Sequence, residues 1–112
     1  MRAPELTHRL LLEAPVDVAH GAGGLMRDWQ SLGEVWAELR VRSGRQAKGA
    51  GGALERLTWR IRMRASPPDA PSRPVAGQRL REGARIFVIH AVADDPGMAR
   101  YLTCFAQEET AT

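Results

Sequence analysis

The sequence predicts an all-β fold, a small antiparallel β-barrel or sandwich of six to seven short strands with one long loop between its central strands. Three observations carry this. Glu34–Arg42 and Thr58–Arg64 alternate strictly between apolar and polar residues, the period of a half-buried strand. Turn-forming clusters of Gly, Pro and Asp separate the apolar runs. No segment carries a long helical period. Many short strands punctuated by turns suit a barrel or sandwich.

Taken in order, His8–Ala14 (HRLLLEA) is a first strand ended by Pro15. Val16–Gly24 is a turn region containing Gly21, Gly23 and Gly24. Leu25–Leu32 is a second strand anchored by Trp29, and Gly33 permits a sharp reversal. In Glu34–Arg42, Val35, Ala37, Leu39 and Val41 share one face; Glu34, Trp36, Glu38, Arg40 and Arg42 share the other. Ser43–Leu57 breaks the alternation. It is far longer than the roughly four to six residues of most connections, and such loops are usually functional or disordered. Its first half, SGRQAKGAGG, is flexible by composition, and its second, ALERL, suits a short helical turn. Thr58–Arg64 points Trp59, Ile61 and Met63 inward and Arg60, Arg62 and Arg64 outward. Ser66–Pro74 is an irregular surface connection, because proline cannot donate to a ladder. Gln78–Glu82 and Arg85–Val92 flank a hairpin turn at Gly83. The run IFVIHAV is apolar on both faces, as in a central strand. DDPG at Asp94–Gly97 is a turn, Met98–Gln107 the last strand, and 108–112 a frayed tail.

At 112 residues the chain, 1–112, is one domain with one modest core. No apolar run reaches the ~18 residues that span a membrane. The start has one short apolar patch without the h-region of a signal peptide, so synthesis in the cytoplasm is expected. Cys104 is the only cysteine, and its neighbours Leu102 and Ala106 suggest a buried, inert thiol. The formal net charge is +3, and Lys48 is the only lysine among the basic residues. Arginine brings a planar fork for carboxylates and phosphates, but dedicated nucleic-acid binders concentrate a stronger patch.

The chemistry of a catalyst is not found. His8, His20 and His90 are scattered over different elements and Cys104 has no CxxC partner, so no metal and no other cofactor is expected. Gly21–Gly24 and Gly49–Gly52 (both GAGG) are flexible turns, neither a Walker sequence nor a dinucleotide fingerprint. No nucleophile elbow is present, and no enzymatic activity is expected. The main charged feature is Arg60, Arg62 and Arg64, on one strand face roughly 7 Å apart, for phosphates or for acidic residues of a neighbouring subunit. A solvated outer face is the plain alternative. Arg40 and Arg42 would extend this patch or pair with Glu34 and Glu38. Trp29 and Trp59 read as core. Trp36, on a charged face, suits either a subunit interface or burial under the Ser66–Pro74 loop.

The chain resembles the small head–tail joining proteins of long-tailed bacteriophages, also called head-completion or stopper proteins, which have relatives in gene transfer agents. Leu6-Thr7-His8-Arg9-Leu10 matches that family's opening strand, and Trp29 its tryptophan before the second reversal. Val35-Trp36-Ala37-Glu38 matches V-W-A-E, and Ser43-Gly44-Arg45 the S-G-R/K opening the long loop. Thr58–Arg64 matches a strand of alternating basic residues, and Gly83 with Arg85 and Ile89 a G-R-x-[YF]-x-I hairpin. The chain differs from the family in its bare KGAGGA and long Pro-rich stretch.

The resemblance implies a structural part of the virion neck, a ring commonly six-fold, between the portal–adaptor complex and the tail terminator. Such a ring retains packaged double-stranded DNA, and a loop projecting into its channel can act as a plug. Here Ser43, Gly44, Arg45, Gln46 and Lys48 would lie in that loop. Trp36, Arg40, Arg42, Arg60, Arg62 and Arg64 would meet neighbouring subunits or phosphates, and exposed sheet edges would be used between copies. An outward-facing docking loop, a free nucleic-acid-binding β-barrel and another neck ring such as a tail terminator are the alternatives.

Overall fold

The computed structural model describes residues 3–42, 57–97 and 100–109. Six antiparallel strands close into a barrel: β1 (His8–Ala19), β2 (Leu25–Val41), β3 (Thr58–Arg64), β4 (Arg79–Glu82), β5 (Arg85–Asp94) and β6 (Tyr101–Glu109). Their order around the barrel is β1-β2-β3-β6-β5-β4. Closure rests on three register pairs between β1 and β4: Leu11 with Arg81, Leu12 with Leu80 and Glu13 with Arg79.

Period two builds the interior. Leu10 and Leu12 of β1, Ala37 of β2, Ile61 and Met63 of β3, Leu80 of β4, Phe87 and Ile89 of β5, and Leu102, Cys104 and Ala106 of β6 are all buried. Every strand therefore contributes to one core. Each large apolar side chain so placed stabilises the fold by about 1.5–3 kcal/mol. Trp59 sits at the margin of this core, edge-on to Phe87 with centroids 6.0 Å apart.

Several expectations are corrected. Pro15 does not end β1, which runs on to Ala19; proline is tolerated on a strand with an open side, and β4 flanks β1 only as far as Glu13. Only His20–Gly24 forms the turn, with His20 accepting from the Gly23 N–H at 3.1 Å. Gly33 is not a reversal. Leu25–Leu32 and Glu34–Arg42 form one strand, β2, which continues through Gly33 at φ 127°. Leu12 pairs with Gly33 and Glu13 with Ser31, so Leu32 is an extra residue in the ladder, a β-bulge. The bulge shifts the inward phase: Val35, Ala37 and Leu39 pack toward the core on one side of it and Leu32 on the other. A second irregularity at Ile89/Ala91 in β5 does the same, leaving His90 exposed and Val92 against the core. Residues Glu108 and Glu109, expected to fray, belong to β6. That strand starts at Tyr101, after a turn at Arg100; Met98 and Ala99, expected to open it, lie outside the described residues.

Closure also changes where the free edges are. The barrel pairs its own edges where β1 meets β4. Beyond Glu13 in β1 and before Ala37 in β2, no β4 or β3 partner flanks the pair. The six register pairs from Ala14–Gln30 to Ala19–Leu25 therefore form a two-stranded arm. The arm leaves the barrel at the end where β3 finishes and β6 starts. Arg42 and Leu57, which flank the 43–56 connection, lie at the opposite end. There the Arg42 N–H donates to Thr58 O at 2.8 Å and the Glu108 N–H to Leu57 O at 2.9 Å.

Candidate functional site

The outer face of β2, β3 and β6 collects the residues singled out by their alternation. Register sets them in rows. Arg40 lies opposite Arg60, which lies opposite Phe105; Glu38 lies opposite Arg62, which lies opposite Thr103; Arg64 lies opposite Tyr101. Trp36 is the next outward residue of β2, beside Arg64. Arg42 follows β2, with its guanidinium 5.2 Å from the Phe105 ring centroid. Trp36, Arg40, Arg42, Arg60, Arg62 and Arg64 thus share one face.

They are not equally available. Arg62, with its side chain 19% exposed, gives Asp95 Oδ2 two hydrogen bonds, from Nη2 at 2.7 Å and Nε at 3.2 Å. Asp95 also accepts from Thr103 Oγ1 at 2.7 Å. Glu38 is buried. Its Oε2 accepts from the Glu5 N–H at 3.0 Å. Its Oε1 accepts no hydrogen bond among the described residues and is balanced by charge alone, with Arg40 Nε at 3.2 Å and Arg62 Nη1 at 3.8 Å. An outward position on a strand is therefore not a solvated one here. The segment before β1 engages Glu38 through the Glu5 N–H, and the turn after β5 engages Arg62 through Asp95.

Arg64 lies over Tyr101 at 5.9 Å. Arg60 is exposed and has no ion pair among the described residues. It faces Arg40 across the ladder, and like charges placed directly opposite repel. An open groove of about 430 Å³ runs between Arg40, Arg60, Pro96 and Phe105. Trp36 is 54% exposed, so the Ser66–Pro74 connection does not cover it. Beside it, Arg9 Nε and Glu34 Oε2 are 3.4 Å apart.

Two further clusters escaped the sequence reading. At the base of the arm Glu13 is buried, accepts from Arg79 Nε at 2.6 Å and meets Arg81 Nη2 at 3.3 Å. The Arg79 guanidinium carbon also lies 4.0 Å from the Trp29 ring centroid. Trp29 is thus a clasp on the outer face, not a core residue. At the opposite end Glu108 takes two hydrogen bonds from Arg85, at 2.9 and 3.2 Å, and one from Trp59 Nε1 at 2.9 Å. The bond from Arg85 holds the Glu108 carboxyl below its usual range, and Glu108 in turn raises Arg85. Arg85 also lies 5.3 Å from the Trp59 ring centroid and 4.9 Å from that of Phe87. This cluster pins the strand that holds Leu57. No sequence period reports either cluster, because each joins residues of different strands, Glu13 and Arg79 66 positions apart and Arg85 and Glu108 23 apart.

Ser43, Gly44, Arg45, Gln46 and Lys48, and the helical turn expected in ALERL, lie outside the described residues. Among the described residues no group of three His, Cys, Asp or Glu side chains is placed to hold a metal ion, and no helix is long and apolar enough to cross a membrane.

A family model described as phage head completion protein matches residues 1–109. The chain is similar to one in a solved virion of a native gene transfer agent particle, at 47% identity and TM-score 0.81, covering 98% of this chain and 100% of that one. It shares its fold with protein SF1141 from Shigella flexneri 2a, solved in solution, at 20% identity and TM-score 0.68 over 100% of both chains. None of the curated proteins matches it.

Proposed function

The chain belongs to the phage head completion protein family, and from that premise we propose that it is a ring-forming stopper in the neck of a tailed phage or phage-like particle. In this reading it joins the portal–adaptor complex to the tail terminator, helps retain packaged DNA, and has a structural role without catalysis. The observation that carries the proposal is the family match across 1–109 together with the 47% identical chain of the gene transfer agent virion. The closed barrel supports it, since a rigid body with a connection anchored at one end suits repetition around a channel.

The 43–57 connection is the candidate plug. Repeated around a six-fold ring, Arg45 and Lys48 would form collars of positive charge facing a polyanion with one charge per ~1.7 Å of duplex. Such contacts are independent of sequence, as packaged DNA requires. A free nucleic-acid-binding module is less favoured, because Arg62 is held by Asp95 and because Arg42 and Arg64 lie over aromatic rings of their own chain.

The experiment is to build particles carrying Arg45→Ala and Lys48→Ala together and to measure DNA released from filled heads. Retention falls if the loop is a plug, and unchanged retention counts against it. Imaging of particles with a tagged chain tests the neck position itself: label on the tail tube or the capsid shell would end the proposal.

A further inference from the structure

The arm is the one described part of the sheet with both edges unpaired, and a two-stranded hairpin by itself is marginally stable in water. Its two faces differ. Cross-strand pairing puts Pro15, Asp17, Ala19, Leu25, Arg27 and Trp29 on one side. That side continues the outer surface of the barrel: Asp17 pairs with Arg27, and Trp29 joins the clasp with Arg79 and Glu13. The other side carries Ala14, Val16, Val18 and Met26, with Asp28 and Gln30. It continues the face that holds Leu10, Leu12 and Leu32 inside the barrel. The core-facing side of β1 and β2 thus runs out of the barrel with no described strand over it. Val18 is 44% exposed and Met26 56%.

On the same two strands, roughly 30 Å from Met26 at ~3.3 Å per residue, the opposite face carries the exposed Trp36. Arg9, across the ladder, and Arg64, on β3, flank it. The two surfaces complement each other. One is an aliphatic stripe with a carboxylate, Asp28, at its base; the other is an aromatic platform between the guanidinium groups of Arg9 and Arg64, of which Arg9 also meets Glu34 at 3.4 Å, leaving a net positive rim. They lie on opposite faces and far apart, so one copy cannot bring them together in itself.

Resting on the neck reading above, we infer that the arm of each copy lays Val16, Val18 and Met26 on the Trp36 platform of the next copy, with Asp28 facing that copy's Arg9 and Arg64. The contact is head-to-tail, and such contacts generate a ring when the rotation closes. Its size sets its strength. Six register pairs make a ribbon roughly 20 Å long and about 10 Å wide, so one contact buries on the order of 400 Å² counting both copies. A stable interface of standard size buries roughly 1,200–2,000 Å². The arm therefore does not oligomerise the free chain; it orders copies already held side by side in the neck.

The test uses assembled particles carrying Val18→Cys with Trp36→Cys, treated with a short bismaleimide and separated under denaturing conditions. Cys104 is fully buried and does not compete for the reagent. The expected result is a ladder of cross-linked chains beyond the dimer, absent when either cysteine is introduced alone. A product that stops at the dimer, a product joining the chain to a different protein, or no product in particles that contain the variant overturns the inference. Absence of the unsubstituted chain from purified particles overturns the neck reading, and the inference with it. In parallel, Val18→Asp with Met26→Asp is expected to leave the far-UV spectrum and unfolding midpoint of the free chain unchanged, because both side chains are exposed. Incorporation into particles is expected to fall by about ten-fold, the scale of truncating one interface anchor. Undiminished incorporation of that variant overturns the inference.

Discussion

The Glu13–Arg79–Trp29 clasp decides how firmly the arm is fixed to the barrel, and its strength follows from its geometry. Arg79 is largely buried between a carboxylate at 2.6 Å and an indole centroid at 4.0 Å. A desolvated cation–π contact of this kind contributes about 2 kcal/mol. Breaking a fully buried ion pair costs about 3–5 kcal/mol. The loss here is smaller, because Arg81 remains 3.3 Å from Glu13 and keeps it partly compensated. Arg79→Met, which retains the stem and removes the fork, is therefore expected to cost about 3 kcal/mol in all, a large part of the roughly 5–15 kcal/mol of a typical domain. Trp29→Leu removes the ring and should cost about 2 kcal/mol. The double variant should cost less than the sum by about 1–2 kcal/mol, since neither single change leaves the stack intact. Urea unfolding of the four proteins at neutral pH closes the cycle. Independent sites add to within about 0.3–0.5 kcal/mol, so a coupling below that refutes the clasp.

Three other outcomes are expected. Gly33→Ala meets no atom near its new Cβ but forces a side chain onto φ 127°, a conformation whose strain is about 1–3 kcal/mol; urea midpoints check it, and a neutral change would mean that the bulge had been lost. Burial pushes the Cys104 thiol up to about 12; the folded chain therefore holds its proton where the unfolded chain releases it, so this contribution to stability is complete below the ordinary value of 9.0 and declines as pH rises above it. Native protein at pH 8 should resist thiol reagents that label it fully in urea. Glu108 is depressed instead, so its contribution is present above its ordinary value of 4.5 and is lost as pH falls through the lower folded value; Glu108→Gln should flatten the acid limb of the stability curve, and an unaltered limb would count against the Arg85–Glu108 bond.

Much of the barrel was legible because one face of each stave is buried, and burial writes itself as period two. Glu34–Arg42, Thr58–Arg64 and the Leu102–Cys104–Ala106 triplet report the core directly. The bulge was not legible in the same way. A glycine between two alternating runs fits a reversal or an extra residue equally well, and only the change of phase between Leu32 and Val35 separates the two. Trp29 read as core because size and apolarity were all that the chain displayed; its partner, Arg79, lies fifty positions on. Glu38 and Arg62 look like surface charges because alternation reports the side of the sheet, not what covers that side. Period two sets Trp36, Arg40, Arg42, Arg60, Arg62 and Arg64 on one side of the sheet, and the strand register agrees with that placement, whereas the proposed gating residues Ser43, Gly44, Arg45, Gln46 and Lys48 lie beyond what is described.

β2 serves as barrel stave and as half of the arm, and it leads through Arg42 into the 43–56 connection. A tug on the His20–Gly24 tip is thereby borne along the length of an antiparallel ladder, whose hydrogen bonds share the load side by side instead of opening one after another. A single continuous backbone thus joins the tip of the arm to the far end of the barrel.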